Sequence, residues 1–205
     1  MKIRTLHYFS GLLIVVFTAL HLFNHLFSIV GADTHIQMME LLRTVYRNSF
    51  VEFVLLLAVG VQIFSGLALV SRNKRSTNIW EKMHIYSGLY LAFFLAIHTS
   101  AVLTGRFLLE LDTNVYFGAS GLNSFPYVLF FIPYYGLAIS SFFVHIACIH
   151  YKRMNNQLAG LTVERQSILI IITGVIITVI IFYGLTDGFR GLEIPTEYQF
   201  QNLNC

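Results

Sequence analysis

The chain has 205 residues, of which 56% are hydrophobic and only 11% charged, with a formal net charge of +3. That charged fraction is less than half of what soluble domains carry, so the apolar surface has to be hidden in a bilayer rather than in one globular core. The expected fold class is therefore all-α, an integral membrane bundle of five transmembrane helices forming a single domain over 1–205, with no length left for a large soluble catalytic domain.

Five apolar stretches, at about 6–30, 50–70, 83–104, 126–150 and 166–185, each approach the roughly 20 residues that cross a bilayer as a helix. Lys2 and Arg4 precede the first, and Val30-Gly31-Ala32 has the small residues of a signal cleavage site. The run is too long for a signal core and holds His21, Asn24 and His25, which predicts a retained first helix. Between the first two spans, Thr34-His35-Ile36-Gln37 has a capping-box pattern, and Met38, Leu41, Leu42 and Val45 recur at helical spacing. This predicts a short amphipathic helix over about 34–47 on the outer surface, with His35 as a solvated loop residue. The loop at 104–125 contains Gly118, Gly121 and Asn123 and reads as irregular. The fifth span is nearly pure Ile, Val and Thr over 168–181 and is expected to face lipid or another subunit. From 186 onward the chain is polar, a tail expected to fold only against a partner.

Basic residues set the orientation. Lys2, Arg4, Arg72, Lys74, Arg75, Lys82, Lys152, Arg153 and Arg165 fall on the side of the N-terminus; only Arg43, Arg47, Arg106 and Arg190 fall opposite. This bias puts the N-terminus inside and the C-terminus outside, in what is expected to be the bacterial inner (cytoplasmic) membrane. Cys148 and Cys205 cannot build a disulfide framework or a thiolate cluster, and no Cys-x-x-Cys-His occurs for covalent haem attachment. Cys148 reads as a small core residue, and Cys205 is assigned no role.

Eight histidines in so apolar a chain call for a function, because ionisable groups are costly inside a membrane. Taken singly, each would be read as a neutral imidazole bonded to a neighbouring helix. Their spacing argues otherwise. His7 and His21 are 14 residues apart on the first span, and His84 and His98 are 14 apart on the third. Fourteen residues make about 3.9 turns and about 21 Å of rise, so each pair lies on one helix face with one member in each leaflet. His7-Tyr8-Phe9-Ser10-Gly11 and His84-Ile85-Tyr86-Ser87-Gly88 also repeat one another, each with a His ten residues past its Gly. The repeat suggests a duplicated helical hairpin whose first and third helices run the same way.

His21 can then face His98 in the outer half, and His7 can face His84 near the inner surface. Paired imidazoles across a bundle are what six-coordinate, electron-carrying haem iron requires. One or two b-type haems are expected, with His21, His98, His7 and His84 as iron ligands and Gly11 and Gly88 letting a flat macrocycle approach the backbone; close helix packing is the other reading of those glycines. His25 is a reserve ligand one turn beyond His21. Near the inner surface, Ser10, Ser87 and His145 could instead hydrogen-bond a quinone carbonyl. His150 is expected to be an interfacial anchor beside Lys152, and Gln62 is the only other strongly polar side chain deep in a span.

This layout resembles the five-helix cytochrome b membrane subunit of succinate dehydrogenases and fumarate reductases. His-x-x-Ser-Gly, at His7 and again at His84, looks like that superfamily's quinone-side motif, with Tyr8 and Ile85 where Arg usually follows the His. The spacing from Ser87-Gly88 to His98 looks like its third-helix haem motif. The resemblance implies His21 and His98 as outer-haem ligands, membrane or cytoplasmic redox subunits as partners, and a second ligand pair for which His145 and only Gln62 are present. A looser resemblance is to ferric-reductase and NADPH-oxidase membrane domains, carried by 21–27 and 95–98, which implies haems on both His pairs. The alternative function is a haem-free membrane anchor or assembly subunit. A transporter would need charged groups at the centre of a span, and a di-iron lipid hydroxylase several His boxes beside the one at His21 and His25.

Overall fold

The computed structural model describes residues 2–71 and 78–199. Arg72, Lys74, Arg75 and Cys205 lie outside the described residues. The elements run α1 (Ile3–Leu26), α2 (Ala32–Tyr46), α3 (Ser49–Ser71), α4 (Ile79–Phe107), α5 (Val115–Ala119), α6 (Val128–Arg153) and α7 (Val163–Leu185), with 3-10 turns at Phe27–Ile29, Ser120–Asn123 and Thr196–Tyr198. Helices α1, α3, α4, α6 and α7 are each long and apolar enough to cross a membrane. The protein is an all-α integral membrane protein of five spanning helices.

Local chemistry marks the ends of these helices. Asn78 caps α4 by accepting from the backbone N–H of Trp80, and Thr162 caps α7 by accepting from that of Arg165. Gly31, at φ +143°, turns the chain into α2, a conformation that a side chain would resist. The Thr34 capping pattern is therefore not the helix start: α2 begins two residues earlier, and Thr34 sits in its first turn.

The spanning helices pack in the cyclic order α1–α3–α4–α6–α7 and back to α1, leaving α1 and α4 to face each other across the ring. Contact residues are small or weakly polar, among them Ala58, Ser65, Ser87, Ala138, Ala147, Ser167, Gly174 and Thr178. Large apolar side chains such as Phe64, Phe93, Leu129 and Val175 point outward. A bilayer favours this inversion, since lipid solvates apolar side chains and close helix contact has to come from small ones. On α7 the outward face is Ile168, Ile172, Val175, Ile176 and Val179, while Ser167, Gly174, Thr178, Ile181 and Gly184 are buried.

At the C-terminal end of the bundle sits one hydrophobic cluster, formed by Val115, Ala119, Leu122, Ile181, Leu185, Ile194 and Tyr198. It corrects two expectations. The 104–125 loop is partly helical, and the tail as far as 199 folds on the chain itself rather than awaiting a partner. Asn123 ties them: its amide donates to the carbonyls of Ala119 and Leu185 and its oxygen accepts from Leu192 N–H at 2.7 Å. Ser120 donates to the carbonyl of Tyr198, and Asn114 to its hydroxyl.

Candidate functional site

Two polar clusters occupy the otherwise apolar ring, one towards each end. In the N-terminal cluster, His7 of α1 meets α3, its Nδ1 2.9 Å from Ser65 Oγ and its Nε2 3.2 Å from Gln62 Nε2. The polarity is determined by the neighbours. Ser65 spends its hydrogen on the carbonyl of Val61, so it accepts from His7 Nδ1–H, and the Gln62 amide donates to His7 Nε2. Ser10 completes the group by donating to Gln62 Oε1 at 2.7 Å.

The repeat in α4 meets α6 in the corresponding way. His145 Nδ1 lies 3.2 Å from both the His84 carbonyl and Ser87 Oγ, and the two imidazoles pack with ring centroids 4.3 Å apart. Since Ser87 itself donates to that carbonyl, His145 Nδ1 carries the proton and its Nε2 the lone pair. A Cβ on Gly88 would stand 3.1 Å from His145, and one on Gly11 would stand 3.2 Å from Gln62. The two glycines thus admit the side chains of α6 and α3 to the helix backbone. Gln62 stands to the first hairpin as His145 stands to the second, a correspondence that the repeat within α1 and α4 alone did not reveal. A cavity of about 150 Å³ opens beside His84, lined also by Trp80, Glu81, Cys148, Tyr151 and Lys152. His150 reaches α7 by donating to Gln166 Oε1 at 2.9 Å, so it bridges two helices as well as lying near Lys152.

The second cluster lies towards the other end. His21 and His98 face each other from α1 and α4 with ring centroids 6.2 Å apart. Phe17 stacks on His21 and Phe94 on His98, which restrains both rings. His25 Nε2 is 3.2 Å from His21 Nε2, and His25 Nδ1 is 3.1 Å from His35 Nε2, which also receives Asn24 Nδ2 at 3.3 Å. His35 is 1% exposed, which corrects its reading as a solvated loop residue. The reason is that α2 turns His35, Met39 and Arg43, spaced one turn apart, onto the bundle and leaves Leu41 and Val45 outside. Burial, reinforced by His21 and Arg43, pushes the His35 pKa down to about 4. His35 is therefore neutral near pH 7.

An iron held by two imidazole nitrogens at about 2 Å each, with the ring centres about 1 Å further back, spaces the two centroids by roughly 6 Å. The His21–His98 pair fits that spacing. His84 and His145 are closer than it allows, and His7 and His84 make no ring contact with each other among the described residues. Also among the described residues, no group of three or more His, Cys, Asp or Glu side chains converges to hold a bare metal ion. No family model, curated protein or solved structure matches the chain, so the chemistry of this site is read from its own residues.

Proposed function

We propose that the chain is a membrane cytochrome b subunit of an oxidoreductase complex, holding one b-type haem between His21 and His98. It would exchange electrons with a quinone or a cytoplasmic redox partner at the end carrying His84 and His145. The observation that carries this reading is the 6.2 Å separation of two buried, ring-stacked imidazoles on helices that face across the bundle. Haem in such a site supplies reversible one-electron transfer.

The chain's own residues do the rest. Phe17 and Phe94 stack on His21 and His98 and would hold both imidazoles in place for a bound haem. With Asn24 donating to His35 Nε2, His25 donates from Nδ1 and accepts at Nε2 from His21 Nε2–H, so a metal ligated at His21 Nε2 would take the place of that proton and of the contact with His25. At the other end, His145 Nε2 can accept a hydrogen bond, and the cavity beside His84 has aromatic walls formed by the stacked Trp80 and Tyr151. Those features support a quinone head group there. His7, with both nitrogens engaged by Ser65 and Gln62, supports helix packing rather than ligation. The basic residues of the N-terminal side support its assignment to the cytoplasm and the bacterial inner membrane as the location.

The test is a reduced-minus-oxidised spectrum of the purified chain with pyridine-haemochrome quantitation. One haem per chain is expected, lost in His21→Ala and His98→Ala and kept in His84→Ala. A folded, haem-free preparation would sink the reading and leave the membrane anchor in front.

A further inference from the structure

Arg43 is a charged side chain only 6% exposed. A guanidinium removed from water costs several kcal/mol unless its N–H groups are paired. Only one edge of Arg43 is engaged: Nη1 meets Asp112 at 2.9 Å and Glu40 beside it. Nε and Nη2 are sealed from solvent and make no well-formed hydrogen bond among the described residues, although the Tyr46 hydroxyl stands close enough to interact with the guanidinium. Those two nitrogens form a single edge of the guanidinium, the edge that grips a carboxylate with two parallel hydrogen bonds.

The surroundings say where such a carboxylate would come from. Arg43 lies on the inward face of α2, two turns from His35, and His35 feels both Arg43 and His21. Tyr46 lies beside Arg43 and packs edge-on against Phe17, the ring stacked on His21. Arg43 thus belongs to the layer that closes the His21–His98 pair towards the C-terminal end. Charge is balanced there, with Arg43, Arg47 and Arg106 set against Glu40, Asp112 and Glu52. Arg47 shares Asp112 with Arg43, and Arg47 is itself influenced by Arg106.

We infer that Arg43 holds a carboxylate of the haem proposed between His21 and His98, closing over its propionate edge with the Nε–Nη2 side. This rests on the haem reading. It assigns α2, which contributes no iron ligand, a direct part in cofactor binding. It also explains why an arginine is buried on a helix whose apolar residues Leu41 and Val45 face outward. A buried cation near the haem would favour the reduced form, which carries one positive charge fewer.

The full-length protein in detergent is stripped and reloaded with haem or with haem dimethyl ester, whose carboxylates are blocked. Wild type, Arg43→Gln and Arg43→Lys are compared, with Arg190→Gln, which alters an exposed pair, as control. Asp112 and Glu40 are half exposed, so water can solvate them when Arg43 is replaced. Wild type is expected to bind haem at least tenfold more tightly than the ester, Arg43→Gln to bind both alike, and Arg43→Lys to lie between. The redox equilibrium of Arg43→Gln is expected to move about tenfold towards the oxidised form, which is about 59 mV for a one-electron couple. Wild type that takes haem and ester equally well overturns the assignment while leaving the haem reading intact, and needs no variant to fold. An unchanged preference and potential in Arg43→Gln does the same. Wild type that binds neither overturns both.

Discussion

His25 and His35 show how one imidazole depends on the next. His25 uses both nitrogens, one towards His21 and one towards His35, and so links α2 to the pair that faces across the ring. Because iron at His21 would displace its contact with His25, His25→Ala is expected to keep its haem, measured by pyridine haemochrome, whereas His21→Ala loses it. Acid acts on His35. Its folded pKa of about 4 lies below the unfolded value near 6.5, so the unfolded chain binds the proton first. Stability is fully present above about pH 6.5 and falls as the pH drops towards 4, by roughly 3 kcal/mol for this group. Hydrogen exchange of α2 between pH 7 and 4.5 should show α2 loosening before the spanning helices, and His35→Gln should flatten that dependence. His21 and His98 were legible as residues because a histidine in an apolar run is conspicuous. The burial of His35 was not, because the capping pattern and the polar residues around it describe an exposed start of a helix equally well.

Single contacts decide how the elements pack. Where α7 crosses the end of α1, a Cβ on Gly184 would stand 2.1 Å from Ser28 Oγ and 2.8 Å from the backbone N of Ile29. Backbone cannot step aside cheaply, so Gly184→Ala is expected to cost about 1–3 kcal/mol in thermal unfolding in detergent. Gly60 on α3 has nothing within 4 Å of an added Cβ, so Gly60→Ala is expected to be neutral or to stabilise the helix by up to about 1 kcal/mol. The five spans could be read along the chain because length and hydropathy alone decide whether a helix crosses a bilayer. The face each helix presents could not. Helix α2 has an apolar stripe that a soluble protein would bury; here Leu41 and Val45 stay outside, and His35 and Arg43 go in, because the bundle offers them polar partners. The tail after 186 looked partnerless for a similar reason: its anchors, Asn114, Ser120 and Asn123, are some 60 to 85 residues away.

As a whole molecule, the ring is two hairpins, α1–α3 and α4–α6, closed by α7. The charge bias predicts that the loop joining α6 to α7 is cytoplasmic and α2 external. With Cys148 and Cys205 replaced by Ser, a membrane-impermeant maleimide is expected to label Thr44→Cys in intact cells and Asn156→Cys only after permeabilisation; the reverse pattern would invert the topology. Sequence by itself determined the solvent, the number of spans, the repeated His-x-x-Ser-Gly segments and the histidines placed at matching depths, because each follows from composition or from spacing along one helix. Only the tertiary structure decided that His21 faces His98 while His7 turns to Gln62 and Ser65 and His84 to His145. It also decided that Arg43 is buried, with one edge unpaired among the described residues. The physical reason is that spacing sets the height of a side chain and the helix face on which it lies, whereas its partner depends on how neighbouring helices rotate and cross. That geometry is set by small residues such as Gly11, Gly88 and Gly184, whose contacts lie far away in the chain.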